Sequence, residues 1–493
     1  MMQARAAVGS AHGGRRRALR VALWLGGLLA LMLALLLRNP LLLQWRPVAT
    51  PLLFAVVPGV LLFIAWRRPL PRRHATLLAT LWLGALLLAG LQEGVFHWRK
   101  QQVLAAFDAD ALALGAHMIV GYSDPLAVRS LVEKGLVGGI FISAHNVRGR
   151  SSAAIHREIS ALQALRRSAG LPPLIVSTDQ EGGIVSRMSP PLSHLPSLAE
   201  VIADARPDDI ELLAFAYGEK HGRELSALGV NINFAPLADL SSPDEHHRFD
   251  FRSLIGQRAI DADPARVSPA VIGYAHGLEA SGVHATLKHF PGLGRVTADT
   301  HVFPATLAAS TSDLESSDWI PFRDGLRATQ SLLMVGHATL SAVDARRPAS
   351  RSASVVQGIV RQRWQHDGVL VSDDLTMGAV VRHGLCSAGV DAINAGIDLL
   401  LVSYDAEQYY EIFHCLLQAA RRDELDRKIL AGSQRRLGRL QASLARTPPT
   451  GLAVTTRRFD RQPGADAAEQ VALNGTRLRQ QRGNALAQAR HAT

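Results

Sequence analysis

The chain has 493 residues, 48% of them hydrophobic, and a formal net charge of +11. That length gives room for one large domain or two ordinary ones, and a mean hydropathy of +0.10 with a pI of about 10.3 directs attention to membrane segments first. Much of the arginine lies near the N-terminus and in the C-terminal tail, so the charge does not point to nucleic acid, and two cysteines in helical-looking stretches, Cys386 and Cys415, exclude a disulfide framework and a cysteine-based metal site.

Residues 1–20 form a basic leader ending in Arg15, Arg16, Arg17 and Arg20. Apolar runs follow at 21–37, 51–66 and 75–91. A cleavable signal would need only the first run, so the three together predict a retained membrane region over 21–100, with about three transmembrane helices. Arg38 and Arg46 lie in the first loop, Arg67, Arg68, Arg72 and Arg73 in the second, and Arg99 and Lys100 after the third run. Placing the arginine-rich sides in the cytoplasm leaves everything beyond residue 100 outside.

From about residue 105 the composition is that of a globular α/β protein. Eight short apolar strands are expected, at 117–121, 139–143, 174–178, 230–235, 283–289, 332–337, 368–372 and 398–403. Amphipathic helical stretches such as 154–169, 208–228 and 264–280 lie between them. Eight β-then-α units predict a (β/α)8 barrel of the TIM type over 101–445, preceded by the transmembrane helical region; an open doubly wound sheet is the alternative. Thr447-Pro448-Pro449-Thr450-Gly451 breaks the last helix, and 446–493 reads as a disordered basic tail.

In such a barrel the working residues belong at the C-terminal ends of the strands. Polar residues do collect there: Thr178 to Gly183 after the third strand, Lys288 and His289 at the fifth, Gly336 and His337 at the sixth, Ser372 to Asp374 at the seventh. Asp374 and Thr376 read as helix caps. Asp373 is the carboxylate expected to enter the mouth, because adjacent strand residues point to opposite sides. Beyond the fifth strand Asp299 and His301 are two apart, which in an extended segment lets the carboxylate hold and charge the imidazole. A carboxylate facing a separate proton donor is the minimum equipment for splitting a glycosidic bond. The two histidines of the polar loop 244–250 could bind metal, although a solvated loop is the simpler reading, and no metal or cofactor is expected.

Asp-Gln-Glu-Gly-Gly at 179–183, Asn-Phe-Ala-Pro at 233–236, Ile-Gly-Gln-Arg at 255–258, Lys-His-Phe-Pro-Gly at 288–292, Asp-Thr-His at 299–301, Pro-Ala-Ser-Arg-Ser at 348–352 and Ser-Asp-Asp-Leu-Thr-Met at 372–377 together resemble glycoside hydrolase family 3. Within that family the resemblance is to single-domain bacterial β-N-acetylglucosaminidases. It implies a retaining double displacement that releases terminal β-linked N-acetylglucosamine, with Asp373 as nucleophile and His301 as acid/base assisted by Asp299. It also implies that Asp179, Arg187, Arg258, Lys288 and His289 hold the sugar. Peptidoglycan fragments are the expected carbohydrate partner. The expected place is the cytoplasm or the inner membrane of a bacterium, with the catalytic part facing the periplasm. Leu293 stands where the family commonly has His, and Ile184 where Arg is usual. The alternatives are a β-glucosidase-type or phosphorolytic member, or an inactive membrane-anchored sugar-binding protein.

Overall fold

The computed structural model describes residues 2–67, 71–242, 253–382 and 384–446. The chain divides into two compact units, Met1–Ala105 and Ala106–Thr493. The predicted tail from 447 onward and the polar loop 244–250 lie outside the described residues.

The first unit is built on α1 (Met2–Leu36), α2 (Arg46–Arg67) and α3 (Arg72–Leu104). Alanine and arginine are strong helix formers, and α1 runs through both the leader and the first apolar run. Arg17–Leu36, Arg46–Trp66 and Arg72–Leu104 are long and apolar enough to cross a membrane, by length and composition. Small side chains lie inside the bundle, Ala30 and Ala34 on α1 and Ala85 and Ala89 on α3, which lets helix backbones approach closely; Leu25, Leu28, Leu62 and Leu87 are exposed on its outside. Trp82 Nε1 donates to the Leu23 carbonyl at 3.1 Å and Gln92 Nε2 to that of Ala34 at 2.8 Å. Arg38, just past α1, pairs with Glu93 and lies 3.7 Å from the centre of the Phe96 ring. A helix as long as α3 spans about 50 Å against about 30 Å of hydrocarbon. Its charged end around Glu93 is thus suited to lie beyond the apolar layer.

In the second unit, eight parallel strands appear where the apolar runs predict them. They are β1 (Met118–Gly121), β2 (Gly139–Phe141), β3 (Ile175–Thr178), β4 (Ile232–Asn233), β5 (His284–Phe290), β6 (Leu332–Val335), β7 (Leu370–Ser372) and β8 (Leu400–Val402). The order across the sheet is β7-β6-β5-β4-β3-β2-β1-β8, all neighbours parallel. An isolated parallel bridge, Val371 to Leu399, links β7 to the residue entering β8, so the sheet is a nearly closed barrel rather than an open one. Both faces of each strand are covered, which is why sequences such as Leu332–Val335 and Leu400–Val402 are apolar without alternation.

Ile119, Phe141, Ile175, Ile232, Met334, Val371 and Leu401 share one buried cluster, joined by Leu437 and Leu440 of the last helix, Arg427–Arg446. That helix closes the end where the strands begin: Arg436 and Ser433 bind Asp398 ahead of β8, and Ser443 contacts His284 at the start of β5. The barrel therefore has one sealed end, and the polar residues at the strand exits lie at the other.

The cysteines correct the sequence reading. Cys386 and Cys415 form a disulfide between helices Leu385–Ala395 and Tyr409–Arg421, with Cα atoms 5.3 Å apart. A sequence separation of 29 carries the chain through β8 and back, so sequence spacing alone concealed the meeting of the two helices.

Candidate active site

The groups at the open end are placed by side-chain bonds between neighbouring loops. After β3 the chain makes a short antiparallel pair, Gln180–Gly182 with Val185–Ser186. Asn233, at the end of β4, holds it from below: Asn233 Oδ1 accepts from the Gln180 N–H at 2.9 Å, and Asn233 Nδ2 donates to the Gln180 carbonyl at 2.8 Å. Gly182 turns this pair at φ +93°, and a Cβ there would lie 1.8 Å from the Tyr217 hydroxyl. A larger residue is barred by both backbone conformation and space.

This turn presents Asp179 and Glu181 to two cations. Lys288 Nζ, almost fully buried near the end of β5, sits 2.7 Å from Asp179 Oδ1 and 2.6 Å from Glu181 Oε1. Arg258 grips Glu181 on two edges, Nε to Oε2 at 3.0 Å and Nη2 to Oε1 at 2.6 Å, and its Nη1 donates to the Ser253 carbonyl at 2.6 Å. Burial alone would raise the Glu181 carboxyl, but Arg258 and Lys288 outweigh it and bring the pKa down to about 2. The folded value lies below the ordinary one of 4.5, so this group's stabilisation is complete above about 4.5 and is lost as the pH falls through about 2. Replacing Glu181 by Gln leaves two buried cations short of an anion. We expect a loss of about 3 to 5 kcal/mol in denaturant unfolding, together with a weaker pH dependence of stability in that acid window.

His289 faces a different acid. Asp239 Oδ2 accepts from His289 N at 2.9 Å and lies 2.7 Å from His289 Nδ1, while Asp239 Oδ1 accepts from Leu293 N at 2.8 Å. Leu293, where the resemblance leads one to expect His, is buried, and Asp239 holds its backbone N–H. Arg187 is exposed, and its guanidinium makes no hydrogen bond or ion pair with a described residue; its backbone N–H donates to the Asp179 carbonyl at 3.1 Å. Ile184 is exposed on the same turn.

At the exit of β7 the two aspartates part, as the strand geometry predicts. Asp374 is buried, but it is not a helix cap. Its Oδ1 accepts from Thr376 N and Oγ1, and its Oδ2 from Ser403 N, Ser403 Oγ and Tyr404 N. The chain runs on past Thr376 before the short helix Gly378–Val381 begins, so neither Asp374 nor Thr376 is in position to cap it. Asp373 is half-buried, with the Asp374 N–H donating to its Oδ1 at 2.8 Å. Burial would raise the Asp373 carboxyl; the imidazoles of His289, His337 and His301, with that N–H, hold it below the ordinary carboxylate range.

His337, at the exit of β6, is buried and its pKa is lowered by burial. Its Nε2 lies 3.0 Å from the Asp374 carbonyl and must donate there, so Nδ1 accepts from Ser350 Oγ at 2.8 Å. It is a neutral prop for the loop that carries Asp373. Beyond β5, Asp299 Oδ1 accepts from His301 N at 2.9 Å and lies 3.0 Å from His301 Nδ1. Asp299 is fully buried, and the His301 side chain keeps 38% of its exposure.

The residues expected from sequence thus fall into three groups: Asp179 and Lys288, joined to Arg258 through Glu181; His289, held by Asp239; and His301 with Asp299, with His289 and His301 both within electrostatic reach of Asp373. Arg187 is exposed, and its side chain pairs with none of the described residues. Sequence reasoning assigned no role to Glu181 or Asp239 and left His337 unexplained. The strand-exit position was the available signal for His337; for Glu181 it was the second acid two residues after Asp179.

Residues 114–440 match the family described as Glycosyl hydrolase family 3 N terminal domain. Among curated proteins, a beta-hexosaminidase of Nitrosomonas eutropha is 33% identical over 284 residues, covering 57% of this chain and 78% of the relative. One from Xylella fastidiosa is 36% identical over 271 residues, covering 54% and 76%. Among solved structures, a glycoside hydrolase family 3 beta-N-acetylglucosaminidase from Paenibacillus superposes with a TM-score of 0.64 at 28% identity, covering 75% of this chain and 68% of its own. The Beta-N-acetylhexosaminidase of Beutenbergia cavernae gives 0.61 at 27% identity, covering 68% and 100%.

Proposed function

This chain belongs to glycosyl hydrolase family 3, and from that premise we propose that it is a retaining exo-β-N-acetylhexosaminidase that removes terminal β-linked N-acetylglucosamine. What supports the reading is that His301, whose Nδ1 lies 3.0 Å from the buried Asp299, is among the imidazoles whose charge holds the Asp373 carboxyl below its ordinary range. In the first half-reaction a carboxylate oxygen of Asp373 bonds to the anomeric carbon as the glycosidic bond breaks. The leaving oxygen takes a proton from Nε2 of His301, whose Nδ1 faces Asp299. In the second half-reaction His301 accepts a proton from water, the water oxygen bonds to the anomeric carbon, and Asp373 leaves.

Asp179, Lys288, His289 and Arg187 are assigned to the sugar. Arg258, whose guanidinium is already held by Glu181 and Ser253, acts by keeping Glu181 and Lys288 in place. A site that hydrogen-bonds a particular substituent rejects a sugar lacking it. The full chain in detergent should therefore prefer aryl β-N-acetylglucosaminides over aryl β-glucosides by at least about 100-fold in kcat/KM. Equal rates on the two would sink the assignment.

We place the barrel on the periplasmic side of a bacterial inner membrane, held by the three apolar helices, with peptidoglycan fragments as substrate. The arginine distribution supports this orientation. The Cys386–Cys415 disulfide supports it independently, since such bonds persist in oxidising compartments. After lysis into a thiol-trapping reagent, neither cysteine should take label until reductant is added. Labelling of both without reduction would argue for the cytoplasm.

A further inference from the structure

We propose that Gly378 is a positioning residue for proton transfer: its lack of a side chain lets the loop carrying His301 seat on the loop carrying Asp373. The proposal rests on the roles just assigned to those two residues. The Gly378 N–H donates to the His301 carbonyl at 2.8 Å, and the Ala379 N–H to that of Thr300 at 3.2 Å. The loops are therefore joined backbone to backbone, next to the imidazole. A Cβ on Gly378 would lie 2.4 Å from the Val302 carbonyl oxygen, 2.8 Å from the Val302 carbonyl carbon and 2.9 Å from the His301 carbonyl oxygen. All three obstacles are backbone, so no side-chain rotation relieves the clash.

One loop must move, and the bonding decides which. The seat is fixed through Asp374, whose carboxylate binds Thr376, Ser403 and Tyr404, and by the Leu375 N–H on the Leu401 carbonyl at 2.9 Å. The donor loop is a compact turn: Val302 N and Phe303 N both donate to the Asp299 carbonyl, and Asp299 Oδ1 accepts from His301 N. A methyl group at 378 would push that turn away as a body, keeping Asp299 on His301 while widening the gap to Asp373. Restoring ordinary contact distance requires about 1 Å, a misplacement that can cost about 100-fold in rate. Gly378 is not among the residues with positive φ, and alanine favours a helix over glycine. The local backbone thus accepts alanine, and the strain falls on the neighbouring loop.

The test is Gly378→Ala in the full chain, assayed on aryl β-N-acetylglucosaminides of graded leaving-group acidity. The expected result is about a 100-fold loss on the poorest leaving groups and little loss in glycosylation rate on the best. In a His301→Ala background the same substitution should add nothing. A uniform loss across leaving groups, or losses that add in the double variant, would overturn the inference. Should Gly378→Ala not fold, hydrogen exchange on the wild-type protein decides: slow exchange of the Gly378 and Ala379 amides is expected, and unprotected rates overturn it. An inactive wild type would overturn the parent reading and this one with it, whereas an active wild type with uniform loss in the variant overturns this one alone.

Discussion

Asp373→Ala is expected to abolish turnover on every N-acetylglucosaminide, activated aryl substrates included, with a fall in kcat of about four orders of magnitude or more. In the proposed mechanism this carboxylate supplies the oxygen that bonds to the anomeric carbon, so a better leaving group cannot compensate for its loss. The neighbouring acid cannot substitute. Both oxygens of Asp374 are committed to Thr376, Ser403 and Tyr404, and releasing either would dismantle the loop between β7 and β8. The measurement is steady-state and burst kinetics on a nitrophenyl β-N-acetylglucosaminide, with circular dichroism to show that the variant is folded. Near-normal turnover by Asp373→Ala would refute the mechanism. Because its neighbours hold the Asp373 carboxyl below the ordinary range, the acid limb of the wild-type pH profile should likewise lie below that of a free carboxylate.

His301→Ala should behave differently. Removing a general acid costs about 100- to 10,000-fold where the leaving group needs a proton, so natural glycosides should suffer in full and dinitrophenyl glycosides hardly at all in the glycosylation step. The logarithm of the rate plotted against leaving-group pKa should turn steep in the variant. Asp299→Asn should move the same way, since it keeps the ring but replaces the carboxylate that fixes its Nδ1 and thereby its orientation. A flat plot for His301→Ala would mean that another group supplies the proton.

Much of the barrel was legible because parallel strands covered on both faces must be apolar throughout. Runs such as Leu332–Val335 therefore stand out from the amphipathic helices around them. The open end was legible for a related reason: lysine, histidine and aspartate at strand exits have no place in an apolar core, so Lys288, His337 and Asp373 could be picked out by position. Partnerships were not legible. Nothing in the spacing of Glu181 and Arg258, or of Asp239 and His289, says that they meet, because each pair is joined only when strands far apart in sequence become neighbours. The cap reading of Asp374 failed similarly. A local rule supplied a local partner, whereas the carboxylate also bridges to Ser403 and Tyr404 beyond the next strand.

The sequence by itself determined the kinds of element, the apolar N-terminal helices, and the residue types available for acid, base and nucleophile, because hydropathy period and side-chain chemistry are properties of short segments. Only the tertiary structure decided which aspartate at 373 and 374 stays available, that Arg258 answers to Glu181, that Cys386 meets Cys415, and that the loop carrying His301 is bonded to Gly378. Those outcomes depend on distances between segments that come together only when the barrel closes.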